Sequence, residues 1–297
     1  MSAMVEMQLP LDTVATRCRL LRGSGHAPAL LVQLHGAVNR EKRSVPVLMA
    51  FQPDMPWLSQ MSVADPTMER FETLAAGWYL GWKGERLWES LGRAIRAKAA
   101  EIGAGRVIYS GGSSGGFAAL LLSHQHPGSI ALLRNPQVDV VRHVYRRASD
   151  TYLKLAWEGE PAQHGVPTDL PKLYAGGMEN RVIYLQSAGD RKHLHSQAAR
   201  FLAAIRGVDQ GKVIFDCRSY GLAGHGGSIP NAPLRGWIEA ALAVPFEAPD
   251  WADRVLAYHH AHHAAASRRE PSPAGRRDVP AHDLALADRI ARYQLEA

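Results

Sequence analysis

Short apolar segments alternate with longer amphipathic segments from Thr13 to about Ala243. This alternation is typical of repeated β–α units that build a mostly parallel sheet. The predicted strands are rich in aliphatic residues and cover 16–21, 29–34, 45–51, 106–110, 129–134, 181–186 and 212–217. Residues 16–21 show an alternating pattern, which predicts a half-exposed strand at the edge of the sheet.

Helices are predicted wherever apolar residues recur three and four positions apart. These segments are 85–102, which stops at Gly103, and 117–122, 196–205 and 233–242. Residues 141–179 interrupt the alternation with a basic helical piece and a turn-rich stretch, and we expect an inserted lid there. The predicted fold class is α/β, a predominantly parallel central sheet with helices on both faces.

The C-terminal part differs in composition, so we place a domain boundary after residue 250. The α/β pattern occupies 1–250, and 251–297 reads as a His- and Arg-rich linker followed by a helix at 283–295. We expect that last helix to dock on the domain or to join two copies of the chain. Four histidines lie within 259–263 without a nearby cysteine or carboxylate partner, so no metal site is predicted.

Composition narrows the class of protein further. The chain has 297 residues, 46% of them hydrophobic, enough for one large core. Its net charge of +6 comes from 34 basic and 28 acidic residues in a mixed pattern, without the basic stripe expected of a nucleic-acid binder. Two cysteines, no apolar run of 18 residues and no secretory signal in 1–10 predict a cytoplasmic protein without disulfides or membrane spans.

A glycine-flanked serine follows the strand at 106–110. Gly112-Ser113-Ser114-Gly115-Gly116 fits the pattern G-x-S-x-G, in which a sharp strand-to-helix turn exposes the serine hydroxyl. No lysine follows, which excludes a phosphate-binding P-loop, and the glycine spacing does not fit a dinucleotide site. The alternative is a flexible loop between strand and helix. We take Ser114 as the candidate nucleophile.

A serine nucleophile needs a base and an acid that orients the base. Asp190 and His225 each follow a predicted strand, in the chain order Ser, Asp, His. Asp139 is the alternative acid. His193 and His195 are alternative bases, although they precede a helix rather than follow the last strand.

The oxyanion that forms during acyl transfer needs at least two N–H donors. The sequence assigns one donor to the amide of Gly115, which follows Ser114, and the other to the amide of Gly36 or Ala37. Four further residues are predicted to contact substrate, with core packing as the alternative for the two aromatic ones: His35, Ser113, Trp78 and Tyr79.

Over about residues 29–243 the chain resembles the α/β-hydrolase superfamily, through His35-Gly36, the serine motif, Asp190 and His225. The resemblance implies hydrolysis of a carboxylic ester through an acyl-enzyme, without a cofactor. The early loop lacks the fuller His-Gly-Gly pattern of many esterases, which leaves the second oxyanion donor open.

Segments 62–67, 77–82 and 135–137 are similar to hydrolase-like proteins of bacterial surface-polysaccharide loci. That similarity implies an acylated sugar as an alternative to a simple small-molecule ester. An acyltransferase with the same three residues, and a hydrolase-fold interaction protein without catalysis, are the other functions considered.

Overall fold

The computed structural model describes residues 4–24, 29–142, 146–208, 210–220, 225, 229 and 232–263. The strands within these residues are β1 Met4–Pro10, β2 Ala15–Leu21, β3 Leu30–Leu34, β4 Ser59–Val63, β5 Gly81–Trp82, β6 Glu85–Arg86, β7 Val107–Ser113, β8 Ile130–Pro136, β9 Arg181–Ser187 and β10 Val213–Arg218. The α-helices are α1 Pro66–Arg70, α2 Leu87–Glu101, α3 Ser114–His124, α4 Arg146–Trp157, α5 Leu170–Ala175, α6 Arg191–His193, α7 Ala199–Ala204, α8 Ala232–Ala243 and α9 Trp251–His263. A π-helical turn, Leu194–Ala198, joins α6 to α7, and a 3-10 turn, Gln210–Lys212, precedes β10.

One eight-stranded sheet forms the centre of the described fold, in the order β1-β2-β4-β3-β7-β8-β9-β10. The six strands from β4 to β10 in this order are parallel to one another. The β1–β2 and β2–β4 pairs are antiparallel. The predicted α/β class with a predominantly parallel sheet is confirmed.

Helices cover both faces of the sheet because alternate side chains of each central strand point to opposite sides. Val32 and Tyr109 belong to the apolar cluster that contains residues of α2 and α3. Their strand neighbours Leu31 and Ile108 belong to a second cluster, which contains residues of α8 and α9. Every residue of β3 and β9 is buried, as expected for strands covered on both faces.

Two strand predictions were wrong. Residues 45–51 form no strand, and β4 pairs with β3 instead. Val47 is buried, but Pro46 has no N–H for a ladder, and the amide of Met49 donates to Ser62 Oγ rather than to a strand backbone. Residues 16–21 lie within β2, which is not the edge strand, because β1 pairs along its outer side.

The segment 141–179 contains α4 and α5, and both pack into the fold. Tyr152, Trp157 and Tyr174 are fully buried, and the Tyr152 hydroxyl donates to the carbonyl of Gly81 at 2.9 Å. These contacts tie the insertion to the β5–β6 ribbon. A lid function for this segment stays a prediction.

Residues 251–263 form α9 rather than a linker, so core packing continues past the boundary placed at residue 250. Trp251, Val255 and His259 are buried, and the imidazole of His259 stacks on the indole of Trp237 in α8 at 3.8 Å. The linker at 267–280 and the predicted C-terminal helix at 283–295, with its proposed role in joining copies, lie outside the described residues. None of the described helices is both long and apolar enough to cross a bilayer.

The buried His259 predicts a loss of stability in acid. Burial, together with the nearby charges of Arg218, His263 and His260, lowers its pKa to about 4. As the pH falls below about 6.5, His259 becomes protonated in the unfolded chain but stays neutral in the folded chain until about pH 4. The free energy of unfolding therefore decreases as the pH falls from 6.5 to 4.

We expect His259→Phe, which keeps the aromatic stack, to reduce the loss of unfolding free energy between pH 7 and pH 4.5 by about 2 kcal/mol. Urea unfolding at the two pH values measures this difference. His262→Phe, at an exposed position of the same helix and not among the charges that lower this pKa, is the matched control. Equal pH dependence in both variants would contradict the assignment to His259.

Candidate active site

The chain turns sharply from β7 into α3 at Ser113. This residue has φ 54° and ψ −123°, a backbone conformation that residues other than glycine rarely adopt. Strain of this kind persists where the surroundings fix it, often at functional sites. The turn places the Ser113 side chain beyond the end of the strand and at the start of a helix, as the motif predicts for a nucleophile.

Glycines at positions 111 and 115 permit this turn. A Cβ atom on Gly111 would lie 2.2 Å from the carbonyl oxygen of Gly115, and one on Gly115 would lie 2.4 Å from that of Leu34. These glycines are two residues before and two residues after Ser113. The motif therefore runs from 111 to 115 and not from 112 to 116.

The serine at the sharp turn is consequently Ser113, one residue before Ser114, the predicted nucleophile. Ser114 is the first residue of α3 and is 3% exposed. The sequence contains two overlapping G-x-S-x-G patterns, 111–115 and 112–116, because two adjacent serines are flanked by two glycines on each side. Only the backbone turn distinguishes the two registers.

Ser113 begins a chain of hydrogen bonds. Its Oγ lies 2.9 Å from Nε2 of His225, and Nδ1 of His225 lies 2.6 Å from Oδ2 of Asp190. Asp190 follows β9, and its backbone amide donates to the carbonyl of Ser187. The structure thus brings together His225 and Asp190, as expected, with Ser113 in place of Ser114.

Asp190 is 1% exposed and carries an unusually acidic carboxyl group. Burial by itself raises the pKa of Asp190, but hydrogen bonds from His193 and His225 outweigh it and hold the pKa well below the ordinary value. The carboxylate is therefore charged at neutral pH. The alternative acid, Asp139, is buried elsewhere and forms an ion pair with Arg200.

A second imidazole shares the same carboxylate. Both the backbone amide and Nδ1 of His193 lie within hydrogen-bonding distance of Asp190 Oδ1, at 3.3 and 3.1 Å. The rings of His193 and His225 stack at 4.0 Å with an interplanar angle of 16°. His193 therefore stacks against the candidate base, while His195 is exposed.

Asp190, His193 and His225 also offer three donor atoms within 4.8 Å of one another, a spacing at which a metal ion could bind. Each imidazole Nδ1 is directed at a different oxygen of the one carboxylate. Hydrogen bonding from two stacked rings accounts for this convergence without an ion.

Sequence reasoning missed Gln137 as a functional residue. Its Nε2 donates to Ser113 Oγ at 2.9 Å, and its Oε1 accepts from the indole N–H of Trp78 at 2.6 Å. Asn135-Pro136-Gln137 stands out in the sequence, but no motif indicates that the glutamine reaches the serine. Trp78 was expected to contact substrate; it is buried and supports Gln137 instead.

Next to the elbow, β8 contains a bulge. Gly112 pairs with Arg134 and Ser113 with Pro136, so Asn135 has no partner in the register. Asn135 has φ 42°, and its Oδ1 accepts a hydrogen bond from the amide of Ser187 in β9 at 2.6 Å. The bulge aligns the end of β7 with the end of β9.

The early loop lies against the elbow at Gly36. A Cβ atom here would lie 3.0 Å from the carbonyl oxygen of Gly112 and 3.6 Å from the Cβ of Ser113. Gly36 and Ala37 therefore keep their place as candidate oxyanion donors. Because Ser113 replaces Ser114, the candidate amide after the nucleophile becomes that of Ser114 in place of Gly115.

Side chains behind this loop fix its path. Nδ1 of His35 lies 2.8 Å from the carbonyl oxygen of Gly36, and its Nε2 accepts from the amide of Asp65 at 3.2 Å. The hydroxyl of Tyr79 accepts from the amide of His35 and donates to the carbonyl of Val63. Both His35 and Tyr79 are buried, so they position the loop rather than face an open site.

A cavity of about 170 Å³ opens beside Ser113. Its lining residues are Leu34, Gly36, Met49, Gly112, Ser113, Arg134, Asn135, His225 and Ile229. Among these nine lining residues, Arg134 carries the single guanidinium group, and none is an aspartate or a glutamate. His35, Trp78 and Tyr79 are not among them.

The parallel sheet, the helices on both faces and the serine elbow define an α/β-hydrolase fold, which comparison with solved structures supports. Acylaminoacyl peptidase from Pyrococcus horikoshii matches with a TM-score of 0.55 and 13% identity over 86% of this chain. S-formylglutathione hydrolase from Agrobacterium tumefaciens matches with a TM-score of 0.54 and 13% identity, over 86% of this chain and 94% of its own. Carboxyl esterase 2 from Tuber melanosporum gives 0.51 and 9% identity over 87% of this chain and 84% of its own.

The match to the peptidase covers 40% of that protein, so this chain spans well under half of its length. No family model matches the sequence. No curated protein matches it either. At such low sequence identities, the structural similarity establishes the fold alone. The chemistry has to be inferred from the residues of the candidate site.

The close backbone approach at the elbow predicts a severe effect of Gly111→Ala. The new Cβ would overlap the Gly115 carbonyl, which is backbone and cannot rotate away. We expect the free energy of unfolding to fall by roughly 3 kcal/mol, measured by urea denaturation. Gly207→Ala is the control, because nothing lies within 4 Å of its Cβ position. Comparable stability of the two variants would contradict this account of the elbow.

Proposed function

We propose that this protein is a serine hydrolase that cleaves a carboxylic ester, with Ser113 as nucleophile, His225 as base and Asp190 as the acid that orients it. The hydrogen-bonded series from Ser113 Oγ through His225 to Asp190 is the observation that carries the proposal. The strained backbone at Ser113 and the fold of known esterases support it.

In the first half-reaction, Ser113 Oγ attacks the ester carbonyl carbon while its proton passes to His225 Nε2. The resulting tetrahedral intermediate collapses as the carbon–oxygen bond to the alcohol breaks, and His225 returns the proton to the departing oxygen. An acyl group is then bound to Ser113. In the second half-reaction, water loses a proton to His225 and attacks the acyl carbon. The bond from that carbon to Ser113 Oγ then breaks, His225 returns the proton to Oγ, and the carboxylic acid leaves.

Asp190 stabilises the imidazolium that forms in both halves. Its hydrogen bonds with His193 and His225 keep its pKa low, so it stays ionised when His225 becomes positively charged. The developing negative charge on the carbonyl oxygen would lie near the amide of Ser114 and the amide of Gly36 or Ala37. Loss of one such donor costs roughly 100- to 1,000-fold in rate in other enzymes.

The cavity favours a short acyl group. Its volume of about 170 Å³ is below the roughly 300 Å³ at which pockets for larger ligands begin. The substrate is a small ester or an acylated sugar whose acyl group enters this cavity. No residue of the proposed mechanism requires a cofactor.

An acyltransferase is the second candidate on the same site, with an alcohol taking the place of water. The same cavity and the same three residues serve both reactions, so the accepting molecule decides between them. A non-catalytic interaction protein would not need a serine hydroxyl hydrogen-bonded to an imidazole and an ionised carboxylate.

A fluorophosphonate probe distinguishes these functions and the two serines. We expect wild-type protein to be labelled, Ser113→Ala to resist labelling and to lose ester turnover by roughly 10⁴-fold or more, and Ser114→Ala to retain both. Ser114→Ala is the matched control because the same hydroxyl is removed one residue away. Folded wild-type protein that resists the probe would favour the interaction protein, and loss of labelling only in Ser114→Ala would overturn the assignment of Ser113.

A series of p-nitrophenyl esters tests the size of the acyl site. We expect kcat/KM to be highest for acetate or propionate and at least tenfold lower for octanoate, because the small cavity cannot hold the additional methylene groups of a long acyl chain. Met49→Ala should widen the lining and raise the relative rate on butyrate and hexanoate. Equal rates on acetate and octanoate would exclude a size-limited acyl site.

A further inference from the structure

We propose that Gln137 is a further catalytic residue, which holds the hydroxyl of Ser113 so that its hydrogen is directed at His225. This inference rests on the proposed function, since it assigns a role within the same reaction. The observation that carries it is the series of contacts from Trp78 through Gln137 to Ser113.

The orientation of the Gln137 amide follows from its partners. An indole N–H can only donate, so the group 2.6 Å from Trp78 Nε1 must be the carbonyl oxygen Oε1. The NH₂ group is therefore the one that faces Ser113 Oγ, at 2.9 Å. The contact with Trp78 therefore determines the orientation of the Gln137 side-chain amide beside Ser113.

The orientation of the serine hydroxyl follows in turn. Ser113 Oγ accepts a hydrogen bond from Gln137, so its own hydrogen remains for its other close partner, His225 Nε2 at 2.9 Å. His225 must then accept at Nε2 and carry its hydrogen on Nδ1, which faces Asp190. This is the protonation pattern that proton transfer from serine to histidine requires.

Gln137 is held rigidly enough for this role. Its side chain is 3% exposed, and its backbone amide donates to the carbonyl of Ser113 at 3.0 Å. Trp78 and Tyr79 both adopt positive φ, 52° and 56°, and the indole N–H of Trp78 donates to Gln137 Oε1. The amide of Tyr79 is fixed by Asp65 Oδ2 at 2.9 Å.

The same contact acts during the chemistry. Negative charge grows on Oγ as its proton moves to His225, and an N–H donor already in place stabilises that charge. When the acyl-enzyme is hydrolysed, Oγ becomes the leaving oxygen and takes the proton back from His225. Gln137 donates to the same atom in both directions and exchanges no proton itself.

Two substitutions separate donation from packing. Gln137→Glu keeps the size and still offers an acceptor to Trp78, but an ionised carboxylate would accept the Ser113 hydrogen and draw it away from His225. Gln137→Leu removes both contacts at similar volume. Gln163→Glu adds the same charge at an exposed position and is the matched control. Thermal unfolding of each variant reports whether it folds.

We expect kcat for a short-chain ester, and the rate of fluorophosphonate acylation, to fall roughly tenfold in Gln137→Leu and a hundredfold in Gln137→Glu, with KM within twofold of wild type. Gln163→Glu should behave as wild type. If Gln137 had a purely structural role, its substitution would lower the unfolding temperature, and the isosteric Glu variant would keep more activity than the Leu variant.

Acylation of folded Gln137→Glu and Gln137→Leu at the wild-type rate, with Ser113 still labelled in wild-type protein, would overturn the role of Gln137 alone. Absence of labelling in wild-type protein would instead overturn the proposed function, and the role of Gln137 with it. If Gln137→Leu does not fold, the Gln137→Glu result decides between the outcomes.

Discussion

The candidate site depends on how closely the backbone passes itself at the end of β7. The position of a Cβ on Gly111 is within 2.2 Å of the Gly115 carbonyl, and that of a Cβ on Gly115 is within 2.6 Å of the carbonyls of Leu34 and His35. Side chains at these two positions would push apart the strand, the helix and the early loop. Their absence lets Ser113 adopt φ 54° and brings its hydroxyl close to the loop at Gly36.

A buried polar network holds the surroundings of this turn. Asp65 accepts from the amides of Thr67 and Tyr79, and its amide donates to His35. Burial raises the pKa of the Asp65 carboxyl and lowers that of the His35 imidazole, while their mutual attraction opposes both shifts. Satisfied networks of this kind rigidify a core, and here the network fixes both the early loop and the backbone that carries Trp78.

Much of the arrangement could be predicted from the sequence because it follows from strand order. Asp190 and His225 were placed at one edge of the sheet because each follows a parallel strand, and the structure puts them in contact. The serine at the strained turn lies one residue before the predicted one, because two overlapping glycine patterns surround adjacent serines. Periodicity does not show which of two serines a turn will strain.

Other features depend on packing between residues far apart in the sequence, which local sequence patterns do not predict. Residues 45–51 have the composition of a strand, but the position beside β3 is taken by β4. Gln137 lies 24 residues beyond Ser113, and its role depends on an indole 59 residues before it. The histidines of α9 were assigned to a linker rich in His and Arg, whereas His259 is buried and stacks on Trp237.

The bulge at Asn135 has a consequence for how this fold can diversify. Its side chain joins the end of β8 to the amide of Ser187 in β9, so the spacing between Ser113 and Asp190 is set by three neighbouring strands. Adjacent strands lie about 4.8 Å apart whatever is inserted between them along the chain. The part of the chain that contains α4 and α5 can therefore change in length and shape over evolutionary time while Ser113 and Asp190 keep their separation.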